Sequence, residues 1–146
     1  MMTQNAEQDT LPILIAFPLY QRMVLSNFDW KHFDFTKTQL LIFLALLANS
    51  TMNMSQIATY ISSSKEQATR AVAPLVEKGY VERVPDESNR TRVLVRLTDA
   101  GHAFLQQQKA HFKEKFAKKY ELLSFQEQSE LKSAIETTIR LLKKMK

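Results

Sequence analysis

Cysteine is absent from this 146-residue chain, and glycine occurs only twice, at Gly79 and Gly101. Without cysteine the protein has no disulfides, no thiolate metal ligands and no catalytic or redox-sensing thiol. Few glycines, only four prolines and apolar residues spaced three and four apart are together typical of a mostly helical protein. We therefore expect a mainly α fold of about one domain in length.

Long apolar runs are also missing. The longest, LLIFLALLA at residues 40–48, is far shorter than the roughly 20 residues that cross a bilayer. The N-terminal MMTQNAEQDT has acidic and amide residues where a signal peptide would carry positive charge. These features predict a soluble protein of the cytoplasm.

Residue groupings typical of an enzyme are missing as well. His32, His102 and His111 lack the spacing of four and the neighbouring carboxylates of a helical metal site. The sequence has no glycine-rich phosphate loop, no nucleophile elbow and no paired catalytic carboxylates. We expect no enzymatic activity, no cofactor and no metal, and we interpret the histidines as surface or packing residues.

The positive charge of the chain is unevenly distributed. The formal net charge is +5, but residues 109–146 hold ten Lys or Arg and five Asp or Glu, so residues 1–108 are balanced. A lysine-rich end such as Lys143, Lys144 and Lys146 suits the negative end of a helix dipole. Net charge alone is therefore weak evidence for a nucleic-acid partner.

Two helices are predicted before residue 50. The first starts near Thr10, accommodates Pro12 in its first turn, and should be bent or interrupted at Pro18, which lacks an N–H donor. The second has the capping-box spacing of Thr36 and Gln39, and its nearly continuous apolar residues predict burial all round. The apolar stripe of the first helix comprises Leu14, Phe17, Tyr20, Val24 and Phe28.

Two short helices joined by a serine turn follow, which is the helix-turn-helix pattern. The first begins after Ser55, and the second covers residues 65–78 with a capping box from Ser64 to Gln67. Pro74 should cost roughly 3 kcal/mol and kink this second helix near residues 70–74. Its predicted buried stripe comprises Ala68, Val72 and Leu75, and its opposite face carries Glu66, Thr69, Arg70 and Ala73.

After Gly79 the pattern changes from helical to alternating, which predicts a β-hairpin. Its strands cover residues 80–84 and 92–97, and a turn-rich loop with a basic tip joins them. Gly79 suits the left-handed residue that ends a helix. Gly101, after the N-cap Thr98, would allow the next helix to pack closely against a neighbour.

Two further helices are predicted in the last third of the chain. The second of them starts with the capping-box spacing of Ser124 and Glu127. Its apolar positions average 3.5 residues apart, as in a coiled-coil seam. The first helix carries Leu105, Phe112, Phe116 and Tyr120, and the seam of the second comprises Leu131, Ile135, Thr138, Leu142 and Met145.

Residues 36–101 resemble the winged-helix core of MarR-type bacterial transcriptional regulators. The matching pieces are TKTQLLIFLALL, MSQIATYISSSKEQATRAVAPLVEKGYVER and DESNRTRVLVRLTDAG. The resemblance implies a winged helix-turn-helix domain at 36–98, between dimerisation helices at 1–35 and 99–146. It further implies a homodimer that binds a double-stranded DNA operator, usually as a repressor, with a recognition helix in each major groove. The absence of cysteine excludes the thiol peroxide sensors of that family.

The resemblance also assigns roles to individual residues. Arg90, at the tip of the wing, is the strongest candidate for DNA contact because a narrow minor groove attracts an inserted arginine. Arg92 and Arg96 would either contact phosphates or be merely exposed. The candidates for DNA contact are Ser64, Lys65, Gln67, Thr69, Arg70, Arg90 and Arg92, and those for dimerisation are Leu14, Phe17, Leu131, Ile135 and Leu142.

The aromatic segment before the second helix has two open interpretations. Phe28, Trp30, His32 and Phe33 either pack where the dimerisation helices meet the DNA-binding core, or bind a small aromatic or phenolic effector, as members of this family often do. Such an effector would release the protein from DNA.

The function also has an alternative. The chain could be a winged-helix protein-interaction module with weak or non-specific DNA binding. Three features favour this alternative: the balanced charge of residues 1–108, Pro74 in the recognition helix, and a wing tip that reads Asn89-Arg90-Thr91 where the family usually has Asp-Arg-Arg.

Overall fold

A computed structural model describes residues 4–145 and confirms a mainly helical fold with one small sheet. Its contacts divide the chain into two compact units. One comprises residues 29–109, and the other comprises residues 1–28 and 110–146. The helices are α1 (Gln4–Ser26), α2 (Lys37–Ala48), α3 (Met54–Tyr60), α4 (Lys65–Glu77), α5 (Asp99–Tyr120) and α6 (Phe125–Leu142), and the strands are β1 (Met52–Asn53), β2 (Val81–Pro85) and β3 (Val93–Leu97).

Capping boxes begin four of these helices. Those of α2 (Thr36 and Gln39), α4 (Ser64 and Gln67) and α6 (Ser124 and Glu127) confirm the sequence predictions. In each, the cap side chain accepts a hydrogen bond from the backbone N–H of the third helical residue, whose side chain accepts one from the cap N–H. A fourth box, between Asn53 and Gln56, begins α3 and was not predicted.

The core of the 29–109 unit lies between α2, α3, α4 and the sheet. Its fully buried side chains include Ile42 and Phe43 of α2, Ile57 of α3 and Val95 of β3. Helix α2 is not buried all round as predicted, because Leu41, Leu44 and Leu47 follow one another on an exposed face. Helix α2 is thus apolar on every side but buried on only part of its surface.

The sheet has three antiparallel strands in the order β1-β3-β2. The β2–β3 hairpin confirms the predicted one, with Arg83 opposite Val95. Strand β1 was not predicted; it pairs Met52 with Val95 and Asn53 with Leu94. A two-residue strand has no alternating pattern of its own, so only its pairing with β3 defines it.

The second unit comprises α1, the later part of α5, and α6. Phe112, Phe116 and Tyr120 stack along α5, with successive ring centroids 5.6 and 5.2 Å apart. The Tyr120 hydroxyl donates to the carbonyl oxygen of Gln128 (2.7 Å), and the Gln128 amide donates to the carbonyl oxygen of Tyr120 (3.0 Å). These bonds hold the turn between α5 and α6.

The prolines interrupt the helices less than expected. Helix α1 already includes residue 4, so Pro12 lies in its interior rather than in its first turn, and the helix continues through Pro18 to Ser26. Helix α4 likewise continues through Pro74 to Glu77. Each proline still removes one N–H donor from its helix, but neither Pro18 nor Pro74 ends the helix that contains it.

Candidate nucleic-acid interface

Helix α4 buries one face and exposes the other. Ala68, Val72 and Leu75 are each 0% exposed, whereas Glu66 and Arg70 are exposed. This confirms the predicted amphipathic pattern. Because Arg70 lies one turn after Glu66, the exposed face carries both signs of charge.

Three candidate DNA-contact residues of this helix also make bonds within it. The Ser64 hydroxyl accepts from the Gln67 N–H (3.1 Å), and the Gln67 side chain accepts from the Ser64 N–H (3.4 Å). The Thr69 hydroxyl donates to the Lys65 carbonyl oxygen (2.8 Å). Ser64, Gln67 and Thr69 therefore help to form the helix itself, while Lys65 and Arg70 add positive charge to its exposed surface.

Helix α4 is joined to α2 by a buried hydrogen bond and ends in a glycine cap. The buried Gln39 of α2 donates to the carbonyl oxygen of Ala71 (3.1 Å). At the C-terminal end, Gly79 has φ +80°, the Gly79 N–H donates to Val76 and the Tyr80 N–H donates to Leu75 (both 3.0 Å). This is a Schellman motif, which confirms the role predicted for Gly79 and leads the chain directly into β2.

Loop 86–92 connects β2 to β3, and this hairpin is the wing. The Asp86 carboxylate accepts from the N–H (3.0 Å) and the hydroxyl (2.7 Å) of Ser88. The Asn89 side-chain oxygen accepts from the N–H (3.1 Å) and the hydroxyl (2.6 Å) of Thr91. Arg90 is exposed between the two members of the second pair.

The remaining arginines of the wing differ in their surroundings. Arg92 is exposed, and its carbonyl oxygen accepts from the Asp86 N–H (3.2 Å) at the base of the loop. The Arg96 guanidinium pairs with Glu82 across the hairpin at 2.6 Å. Phosphate contact or simple exposure was expected for Arg96, and this ion pair was not predicted. It forms because the antiparallel register places Glu82 directly opposite Arg96.

Two carboxylates of the 29–109 unit have lowered pKa values. Hydrogen bonds from Ser88 hold the pKa of Asp86 below 3.8. The hydrogen bond and positive charge of Lys78 lower the pKa of Asp34. Lys78, which caps the end of α4, also lies 4.7 Å from the centroid of the Phe35 ring.

The aromatic residues near the start of α2 form a packed cluster. Phe33 is 3% exposed and contacts the rings of Trp30 (5.6 Å between centroids) and Phe104 (5.7 Å). Phe104 in turn stacks on Tyr80 at 4.7 Å. His32 is mostly exposed and pairs with the Asp29 carboxylate at 2.7 Å, although no carboxylate beside this histidine was predicted. Phe28, the fourth candidate ligand residue, belongs to the other unit and is itself buried.

The candidate dimerisation residues lie on α1 and α6. Leu14 and Phe17 are 63% and 68% exposed, and Leu142 is 57% exposed. Leu131 and Ile135 are half-buried beside Phe116 and Tyr120 of α5. Among its described residues α6 buries none, so this unit leaves much of its apolar side-chain surface uncovered.

The described span, residues 4–145, was also compared with the requirements of a membrane helix and of a metal site. No helix in that span is long and apolar enough to cross a membrane. Within the same span, no three residues among histidine, aspartate and glutamate are grouped so that they could hold a metal ion.

Comparisons with known proteins point to one family. The MarR family model matches residues 33–90. The transcriptional repressor MprA of Escherichia coli K12 is 30% identical over 71 residues, covering 45% of this chain and 40% of MprA. The chain thus spans less than half of the length of the curated relatives that it matches.

Two solved structures share the fold. A mutant of MarR from E. coli superposes with a TM-score of 0.72 at 22% identity, over 88% of this chain and 96% of that one. The PcaV transcriptional regulator of Streptomyces coelicolor, solved with its natural ligand, gives a TM-score of 0.60 at 20% identity, over 90% and 93% of the two chains.

Helices α3 and α4, followed by the β2–β3 wing, define a winged helix-turn-helix protein. The family match over residues 33–90, the aligned relative and the shared fold all support a MarR-type winged-helix regulator. Curated relatives that the chain matches are transcriptional regulators.

Proposed function

We propose that this protein is a homodimeric, sequence-specific DNA-binding regulator of transcription. It would act in the cytoplasm, as a repressor. The observation that carries the proposal is the combination of α4, with Arg70 on its exposed face, and a wing with Arg90 exposed at its tip. The name of MprA, a transcriptional repressor, supports the direction of regulation.

DNA recognition would use both elements of each subunit. Helix α4 would enter the major groove with Lys65 and Arg70, while Arg90 enters the adjacent minor groove. Ser64, Gln67, Thr69 and Arg92 would contribute phosphate or base contacts at the edge of this surface. Affinity should depend strongly on salt, because phosphate contacts release condensed counterions.

The dimer would be formed by residues 1–35 and 99–146, outside the winged helix-turn-helix domain at 36–98. Its support is the exposed apolar surface of the unit that contains α1 and α6. Leu122, between α5 and α6, and Phe125, the first residue of α6, are 84% and 88% exposed. Leu122 also lines a groove together with Leu19, Met23 and Phe116. Apolar surface of this extent is typical of a protein interface. Leu14, Phe17, Leu131, Ile135 and Leu142 would then be covered by the partner subunit.

Release by a small aromatic effector is a subsidiary proposal. The PcaV structure contains the natural ligand of that protein, so ligand binding occurs on this fold. In the present chain Phe33 is already packed against Trp30 and Phe104. An effector that uses Phe28, Trp30, His32 and Phe33 would therefore have to displace existing contacts, and calorimetric titration with phenolic acids tests this directly.

The decisive experiment is a fluorescence-anisotropy titration with the DNA that flanks the gene of this protein, at two salt concentrations and with random duplex as competitor. We expect tight, competitor-resistant binding with a steep salt dependence. Arg90→Ala should weaken binding roughly tenfold or more without changing the oligomeric state. Arg83→Ala removes the same charge from a strand of the same hairpin and should have a smaller effect.

Weak and equal affinity for both DNAs would contradict the proposal. That outcome would favour the protein-interaction module instead, and it would direct attention to the exposed leucines of α2. Unchanged affinity of Arg90→Ala, with specific binding retained by the wild type, would place the recognition in α4 alone.

A further inference from the structure

The wing loop contains two successive turns of the same kind. In each, a side-chain oxygen accepts hydrogen bonds from both the N–H and the hydroxyl of the residue two positions later: Asp86 from Ser88 and Asn89 from Thr91. The two turns are joined by a backbone bond from the Asn89 N–H to the Asp86 carbonyl oxygen (3.2 Å). The loop is therefore held by its own hydrogen bonds from one strand to the other.

Arg90 occupies the centre of the second turn. Its backbone is fixed on both sides, because Asn89 precedes it, Thr91 follows it, and the Arg92 N–H donates to the Asn89 carbonyl oxygen (2.9 Å). The acceptor in this turn is a neutral amide, whereas the first turn uses the carboxylate of Asp86. The second turn therefore adds no negative charge beside Arg90. Such a charge would repel the DNA phosphates in the proposed complex.

We propose that Asn89 and Thr91 are positioning residues that hold Arg90 in its DNA-binding geometry. Binding costs conformational entropy whenever a mobile group must be ordered, so a loop that is ordered beforehand binds more tightly. The Asn89–Thr91 pair supplies this order where the family's usual Asp-Arg-Arg tip is absent. This inference rests on the proposed function, because it requires that Arg90 contacts DNA.

The test is a double-mutant cycle on the full-length protein, read as affinity for the same flanking DNA. We expect Asn89→Ala to weaken binding about three- to tenfold, the usual range for the loss of hydrogen bonds. In an Arg90→Ala background the same substitution should change affinity by less than about twofold, because positioning an absent side chain has no effect. A purely structural role of Asn89 would give equal losses in both backgrounds.

Matched variants of Thr91 and Ser88 distinguish the effect of the Asn89–Thr91 pair on affinity from the effect of the loop as a whole. Thr91→Ser retains the hydroxyl donor and should bind like the wild type, whereas Thr91→Val removes it and should resemble Asn89→Ala in direction. Ser88→Ala weakens the first turn, which does not contain Arg90, and should alter affinity less. Circular dichroism and amide hydrogen exchange at Thr91 verify that each variant is folded and report whether its turn is formed.

The outcomes distinguish failure of the positioning role from failure of the proposed function. Wild-type affinity in Asn89→Ala, with clearly weakened binding in Arg90→Ala, overturns the positioning role and leaves the proposed function intact. Additive losses in the double variant also overturn it. Absence of specific DNA binding by the wild type, or no effect of Arg90→Ala, overturns DNA contact by Arg90 and the positioning role together.

Discussion

Gly101 of α5 lies directly against the carbonyl oxygen of Tyr80: a Cβ atom added to Gly101 would stand 2.1 Å from that oxygen. The same oxygen accepts a hydrogen bond from the Thr98 N–H (3.1 Å), so it cannot move away without breaking that bond. We expect Gly101→Ala to lower the free energy of unfolding by roughly 3 kcal/mol, measured by urea denaturation. A loss below about 0.5 kcal/mol would show that the two segments separate easily.

Gly79→Ala provides the comparison for this prediction. Gly79 has φ +80°, but no atom lies within 4 Å of the position that a Cβ would occupy, so only the left-handed backbone opposes a side chain. The expected loss is about 1 kcal/mol, smaller than for Gly101→Ala. The reverse order would mean that backbone conformation matters more here than steric contact.

Gln39 joins the start of α2 to helix α4. Its side-chain oxygen accepts from the Thr36 N–H (2.9 Å), and its amide donates to the Ala71 carbonyl oxygen (3.1 Å). Gln39→Ala should destabilise the protein by about 2 kcal/mol, since a cap and a buried bond are both lost. Gln56→Ala removes the equivalent capping residue of α3 at an exposed site and should cost about half as much by the same thermal or urea melt. Equal losses would indicate that the bond to Ala71 contributes nothing.

Asp86 should titrate below its usual range. Ser88 donates hydrogen bonds to the ionised carboxylate, so the folded-state pKa lies below the ordinary value of 3.8. A lowered folded pKa stabilises the folded state above the unfolded pKa, and this stabilisation disappears as the pH falls through the folded value. We expect an NMR titration of the Asp86 carboxyl carbon to show a higher midpoint in Ser88→Ala. Asp34, whose pKa is lowered by Lys78, should keep its midpoint; identical Asp86 midpoints in both proteins would contradict the assignment.

Pro74 deprives the Arg70 carbonyl oxygen of its helical donor, although α4 continues through it. Pro74→Ala restores an N–H at this position and should raise the free energy of unfolding by about 1 to 2 kcal/mol, once the greater freedom of the unfolded chain is subtracted. Chemical denaturation measures this change. A destabilised variant would show that the half-buried proline ring contributes more through packing than its missing donor costs.

Local chemistry made much of the fold predictable. The capping pairs of α2, α4 and α6 lie within four residues of each other, so no distant contact is needed to recognise them. The same holds for Gly79 at the end of α4 and for the alternation in β3. Arg90 at the wing tip was identified by resemblance, and its exposure agrees with that assignment without testing its contact with DNA.

Features that depend on distant partners were missed. Strand β1 exists through its pairing with β3, some 40 residues later in the chain, and the pairing of Glu82 with Arg96 depends on the hairpin register. The exposed leucines of α2 could not be foreseen, because a helix that is apolar on all sides does not show which face will be covered. The hydroxyl donors of Ser88 and Thr91 were missed because the tip was compared with a family pattern that lacks them.

The strand order leaves β2 at one outer edge of the sheet. An unpaired strand edge invites addition of a strand from another molecule, which is a common start of aggregation. Here β2 carries Glu82 and the exposed Arg83 and ends at Pro85, which has no N–H to offer. The opposite edge, β1, is only two residues long. The charged side chains of β2, its terminal proline and the shortness of β1 therefore disfavour edge-to-edge pairing of this hairpin with that of a second molecule.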